Sequence, residues 1–151
     1  MSMSPRLLIL GAVSGVIGLL LGHQSLIELF YRLELVSFRG YRMDPVGPLN
    51  VPFVINAAFW CALWGMLMAA IWHWLPGRTA GLKGLLFGLI FVQGLGNWIL
   101  VPFFKNGAYF AGWNIRWMLI TACFQAGFGL AAGLAFQFLS TRFSVLRKGR
   151  R

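Results

Sequence analysis

Few side chains in this sequence could do chemistry, and most of those are amides. His23, Asn56, Gln93, Asn97 and Gln125 each sit inside a long apolar run. An uncharged polar group in such surroundings is costly unless it finds a partner. With about 1.5 Å of rise per residue and the inner end of each helix as zero, His23 and Asn56 lie about 24 Å up and Asn97 about 22 Å. Gln93 and Gln125 fall somewhat nearer the middle, with Thr121 one turn further out than Gln125. Gln93 and Asn97 are four residues apart and share a helix face, as do Thr121 and Gln125. Such a layer can do one of two things. It can bind a small neutral or amphipathic solute in a pocket open to the outer side, capped by Gln24, Glu28 and the loop that follows. Or its members can satisfy one another as glue between helices, at about 0.6 kcal/mol each.

Other chemistries find little support. The three acidic residues, Glu28, Glu34 and Asp44, cluster near one loop, so no carboxylate lies mid-run, where proton-coupled carriers place one. Intramembrane aspartyl proteolysis needs two Asp, and the chain has one. His23 and His73 fall at opposite ends of their runs and cannot share one haem iron within a chain. Cys61 and Cys123 lack a C-x-x-C arrangement and read as small packing residues. No zinc-ligand spacing, P-loop, G-x-S-x-G or H-E-x-x-H occurs, so neither a metal nor a cofactor is expected. The one feature that suits an enzyme is His23 near Glu28 and the outer loop, where a general base could meet solvent.

The elements that carry these residues follow from length and charge. Of 151 residues, 59% are hydrophobic and only 11% charged, against about 25% charged in a soluble domain. Too few polar side chains exist to cover a water-soluble globule, and the hydrophobicity is too high for disorder. The longest stretches without Asp, Glu, Lys or Arg are 7–27, 45–77, 84–104 and 117–141. A bilayer core needs about 20 apolar residues in a helix. The second stretch exceeds one span, and Pro45, Gly47, Pro48, Asn50 and Pro52 mark its first part as loop. The expectation is an all-α, polytopic membrane protein with four transmembrane helices in one bundle, at about 7–30, 51–75, 82–102 and 114–139. An outer loop 31–50 and a basic tail 142–151 complete a single membrane domain. The first helix is expected to run past the membrane through Glu34 and to break at Gly40 or Pro45. Met1 to Arg6 with the apolar run behind it imitates a signal peptide, but no A-x-A type site follows, so the first span is read as uncleaved.

The net charge of +10 does not point to nucleic acid, because the basic residues flank apolar runs instead of lining a solvated face. Arg6, Arg78, Lys83, Arg142, Arg147, Lys148, Arg150 and Arg151 share one side; Arg32, Arg39, Arg42, Lys105 and Arg116 share the other. Eight against five places both termini inside, and the tail reads as an anchor to anionic headgroups. Trp72 and Trp74 mark the inner end of the second span, while Trp98, Trp113 and Trp117 mark the outer face with Tyr31, Tyr41 and Tyr109. Trp60 and Trp64 are left within the hydrocarbon.

Small residues spaced by four are the sequence trace of helices that associate in lipid. Gly11, Gly15, Gly18 and Gly22 form one stripe; Gly65 stands with Ala57, Cys61 and Ala69 in a second. Gly84 and Gly88 form a third, and Gly129 and Gly133 a fourth with Thr121, Gln125 and Gln137. Their pattern argues for a compact bundle and leaves open whether the stripes meet within one chain or between chains.

Several short motifs carry a resemblance: His23-Gln24 at the end of the first span, Asp44-Pro45-Val46-Gly47-Pro48, the run Phe59-Trp60-Cys61-Ala62-Leu63-Trp64-Gly65, and Gly112-Trp113 before the fourth span. Together they resemble small four-helix proteins of bacterial inner membranes, a group without an assigned activity. The resemblance implies a multi-pass protein of the bacterial plasma membrane and no catalytic residue. The expected function is non-enzymatic, exerted through helix faces as a homo-oligomer or as an accessory subunit beside other membrane subunits. The alternative is a permease or binding protein that uses the polar layer.

Overall fold

The computed structural model describes residues 4–143. Its helices long and apolar enough to cross a membrane are α1 (Pro5–Arg32), α2 (Phe53–Ile71), α3 (Ala80–Lys105) and α4 (Ile115–Arg142). The starts follow local chemistry. Pro5 sits in the first turn of α1, where a missing N–H costs nothing. The Thr79 hydroxyl accepts from the Leu82 N–H at 3.2 Å to open α3, and Asn114 Oδ1 accepts from the Trp117 N–H at 3.0 Å to open α4. A hairpin of β1 (Pro45–Val46) and β2 (Val51–Pro52), paired antiparallel with Val46 opposite Val51, leads the loop back into α2.

α1 stops earlier than its apolar spacing suggests. It ends at Arg32, and Glu34 takes a left-handed conformation with φ 57°. The Leu35 N–H then donates to the Phe30 carbonyl at 2.9 Å and the Glu34 N–H to the Tyr31 carbonyl at 3.0 Å. This is a Schellman-type closure, with Glu34 where glycine is usual. The expected extension towards Gly40 is therefore replaced by a turn that folds the following residues back over the bundle.

α1 and α4 form the middle of the bundle, with α2 packed on α1 and α3 on α4. The glycines set these distances, and all the partners lie within one chain. A Cβ on Gly15 would collide with the Cys61 carbonyl oxygen, and one on Gly65 with that of Gly11. Gly18 faces Phe128 and Ala132, while Gly22 faces Gly127. Gly84 and Gly88 lie against Gly129, Gly133 and the Gln125 backbone. The four stripes are thus occupied in bringing backbone onto backbone inside the bundle.

The core sits in the half of the bundle nearer Pro5 and Arg142, where Met68, Ala69, Phe87, Phe128, Ala132 and Phe136 are fully buried. Trp72 belongs to it. It is 4% exposed with its ring 4.9 Å from that of Phe136, a core residue rather than the headgroup-level ring its position suggested. Lys83 covers this end, donating to the Trp72 carbonyl at 2.9 Å, while Trp74 is the exposed aromatic there. A second cluster of Ile27, Val36, Ile120 and Phe124 lies under the outer loop.

Two helices depart from α geometry. Gly18–Gln24 in α1 and Gly88–Leu100 in α3 are π-helical, which is unusual for stretches of this length. In α3 the stretch ends just before Pro102, whose ring nitrogen cannot donate to the turn before it. Past α3, Phe110, Ala111, Gly112 and Trp113 all have positive φ. They make one left-handed turn, in which Phe110 stacks on Trp113 with centroids 5.1 Å apart.

Candidate functional site

Gln93 is 1% exposed and is the centre of the polar groups on α3 and α4. The Trp98 Nε1 lies 2.6 Å from one atom of its amide. An indole N–H can only donate, so that atom is Oε1. The Thr121 hydroxyl lies 2.7 Å from the same oxygen, and Nε2 donates to the Thr121 carbonyl at 3.3 Å. Nε2 also lies 3.1 Å from the Asn97 amide, which accepts from it once that amide is turned to present its oxygen. Of the five residues singled out from sequence, this joins Gln93 and Asn97, with Thr121 between helices. Trp98 is a member that sequence spacing missed, because Gln93 and Trp98 are five apart and only the π stretch brings such a pair together.

His23, Gln125 and Asn56 are placed elsewhere. The His23 ring meets Phe124 edge-on with centroids 5.7 Å apart, and its Nδ1 is buried without a partner among the described residues. Gln125 is 8% exposed on α4, where its backbone carbonyl receives Gly88. Asn56 is half-buried on α2. None of the three shares a hydrogen bond with the Gln93 group among the described residues.

The outer loop is fastened to α1 by residues that flank this layer. Gln24 is 1% exposed and its Oε1 accepts from the Tyr41 N–H at 2.8 Å. The Tyr41 hydroxyl donates to the Leu20 carbonyl at 2.6 Å, inside the π stretch, and Ser25 Oγ lies 2.8 Å from the same hydroxyl. Gly40 passes so close that a Cβ would come 2.5 Å from the Gln24 carbonyl oxygen. Glu28 accepts from Arg32 at 3.1 Å and from Arg39 at 3.3 Å. Gln24 and Tyr41 therefore hold the loop down, with Glu28 adding a solvent-screened pair to Arg39; the second amide atom of Gln24, Nε2, is buried without a partner among the described residues.

Where the loop passes the start of α4 it leaves a cleft of about 930 Å³. Its rim carries Arg32, Glu34 and Arg116, and its floor is Val36, Phe38, Trp117 and Ile120. The Phe38 and Trp117 rings meet edge-on at 5.9 Å. Sequence reading did not find this cleft, because residues 31–38 and 114–120 meet only through the tertiary fold.

The outward faces are apolar throughout, and α2 is the least covered helix. Of its most apolar 18-residue window 17% is buried, against 33%, 33% and 39% for α1, α3 and α4. Ile55, Phe59, Trp60, Leu63 and Leu67 are all exposed along it. Asn56, Trp60, Leu63 and Leu67 are spaced by four, three and four, so they follow one face. Cys61 lies on the α1 side of α2, whereas Cys123 is exposed on α4. No protein family, curated protein or solved structure matches this chain.

Proposed function

We propose that this chain is a non-enzymatic subunit of a membrane assembly, working through the outer face of α2, either with further copies of itself or as an accessory to other membrane subunits. The observation that carries the reading is the face through Asn56, Trp60, Leu63 and Leu67. Trp60 lies about 10 Å inside the outer end of α2 and is 57% exposed. A Trp at headgroup level finds water for its N–H, but one this deep needs a protein acceptor. Asn56, one turn away on the same face, supplies an amide of the kind that hydrogen-bonds across helices. The glycine stripes are engaged within the chain, so assembly falls to this face instead. The setting proposed is the bacterial plasma membrane with both termini cytoplasmic, on the distribution of Lys and Arg. Of the inner set, Arg147, Lys148, Arg150 and Arg151 lie outside the described residues.

The test is a photo-crosslinking residue placed at Leu63, and separately at Leu119, which is 62% exposed on α4, in native membranes. Position 63 is expected to give one discrete protein adduct of fixed mass and position 119 only lipid adducts. Lipid adducts alone at both positions would count against the subunit reading.

A second reading, a binding protein or permease for a small neutral solute, draws on the unpartnered His23 Nδ1 and Gln24 Nε2. It expects His23→Leu to lose binding or uptake while Asn97→Leu does the same with the fold intact. The Gln93 group weighs against it, since its members already satisfy one another.

A further inference from the structure

We infer that the outer cleft between the loop after α1 and the start of α4 holds the headgroup of one membrane phospholipid that carries a primary ammonium. The inference needs only that the four helices span a bilayer, and it is independent of what covers α2.

The charges at the rim are complementary to a zwitterion. Arg32 and Arg116 line the same cleft, and guanidinium groups match phosphate oxygens in geometry as well as charge. Arg32 uses its Nε for Glu28, and its side chain remains 72% exposed. Among the described residues Arg116 makes a single long hydrogen bond, at 3.5 Å, to the Leu35 carbonyl. α4 begins here with its positive dipole end, its first turn opening on the cleft beside Asn114. Against these stands one carboxylate, Glu34, which has no ion pair among the described residues. A simple anion would be repelled by Glu34; a phosphate joined by a short linker to an ammonium would use all three groups.

Below the rim the lining changes character. Val36 and Ile120 are buried, and the Phe38 and Trp117 rings pack edge-to-face beside them, so this apolar lining suits the glycerol and first methylenes of an acyl chain. The neighbouring Leu33 and Leu35 are exposed and continue this apolar surface outward. A volume of about 930 Å³ lies within the usual range of ligand sites. The backbone at Glu34 adds a consistent detail. Glycine would hold its left-handed conformation more cheaply, and the turn sets the Glu34 side chain at the cleft.

The experiment is native mass spectrometry of the full chain released from bilayers of equal parts phosphatidylethanolamine, phosphatidylglycerol and phosphatidylcholine. The expected result is one retained phosphatidylethanolamine per chain, favoured about tenfold over the other two, the effect of one hydrogen bond between charged groups. Arg32→Gln with Arg116→Gln should remove the retained lipid, and Glu34→Gln should keep a lipid but erase the preference for the ammonium. All three positions are exposed, and circular dichroism should show unchanged helix. Soluble phosphoethanolamine should not displace the lipid, because the apolar floor then stays unfilled. Equal retention of the three lipids, full retention in the double Arg variant, or displacement by the soluble headgroup would each overturn the inference.

Discussion

At Gly15, a single hydrogen atom stands where a methyl group would strike the Cys61 carbonyl. The neighbour is backbone, which cannot swing aside as a side chain can, so Gly15→Ala must push α1 and α2 apart. Overpacking of this kind costs about 1–3 kcal/mol, and Gly84→Ala should behave alike against Gly129. Thermal unfolding in mild detergent should show a clear drop for both. An unchanged midpoint would mean that the helices are not in backbone contact. Gln93→Leu should cost less, about 0.6 kcal/mol and at most about 1.7, even though it removes partners from both Trp98 and Thr121. The ordering matters more than either number: in this bundle close backbone approach outweighs the amide group. The glycine positions could be read from their spacing, because a stripe of small residues is local. Which stripe meets which could not, since that depends on the order of helices around the bundle.

On the scale of elements, the four long apolar helices were legible because helix length and absence of charge are properties of a contiguous segment. The π stretches were not. A face assignment built on 3.6 residues per turn fails across Gly18–Gln24 and Gly88–Leu100, and with it the prediction of which polar residues meet. Hence Trp98, read as a headgroup-level ring, turns inward to Gln93. Within the first of these stretches the Leu20 carbonyl accepts from the Tyr41 hydroxyl, which ties the outer loop to α1. Tyr41→Phe should remove this tie, worth about 1 kcal/mol for an ordinary hydrogen bond, and raise hydrogen exchange and proteolysis across residues 33–52. Arg39→Gln should change them little, because its pair with Glu28 is open to water and screened. If the two variants behave alike, the loop is held by charge and not by Tyr41.

For the whole molecule, two asymmetries bear on function. Arg6, Arg78, Lys83 and Arg142 mark one end of the bundle, and Arg32, Arg39, Arg42, Lys105 and Arg116 the other. With the tail counted, the proposed orientation has both termini inside. A reporter fused after Arg151 should therefore fluoresce as a cytoplasmic protein and should be inactive as a phosphatase that needs export. The other asymmetry is α2, joined to the bundle mainly through α1 and bare along Ile55, Phe59, Trp60, Leu63 and Leu67, with Asn56 half-buried beside them. Composition and charge spacing announced four helices long and apolar enough to cross a membrane, but exposure on one helix is a property of the assembled fold and could not be read from the chain. The proposed subunit role rests on that face. Its most direct test is native mass spectrometry of the protein extracted mildly from its own membrane, with the double variant Asn56→Leu, Trp60→Ala beside it. The wild type should appear as a defined assembly, with a fixed number of copies or a second polypeptide in fixed ratio, and the variant as a folded single chain. A wild-type protein that leaves the membrane as a single chain, bound to nothing but lipid, would contradict the account.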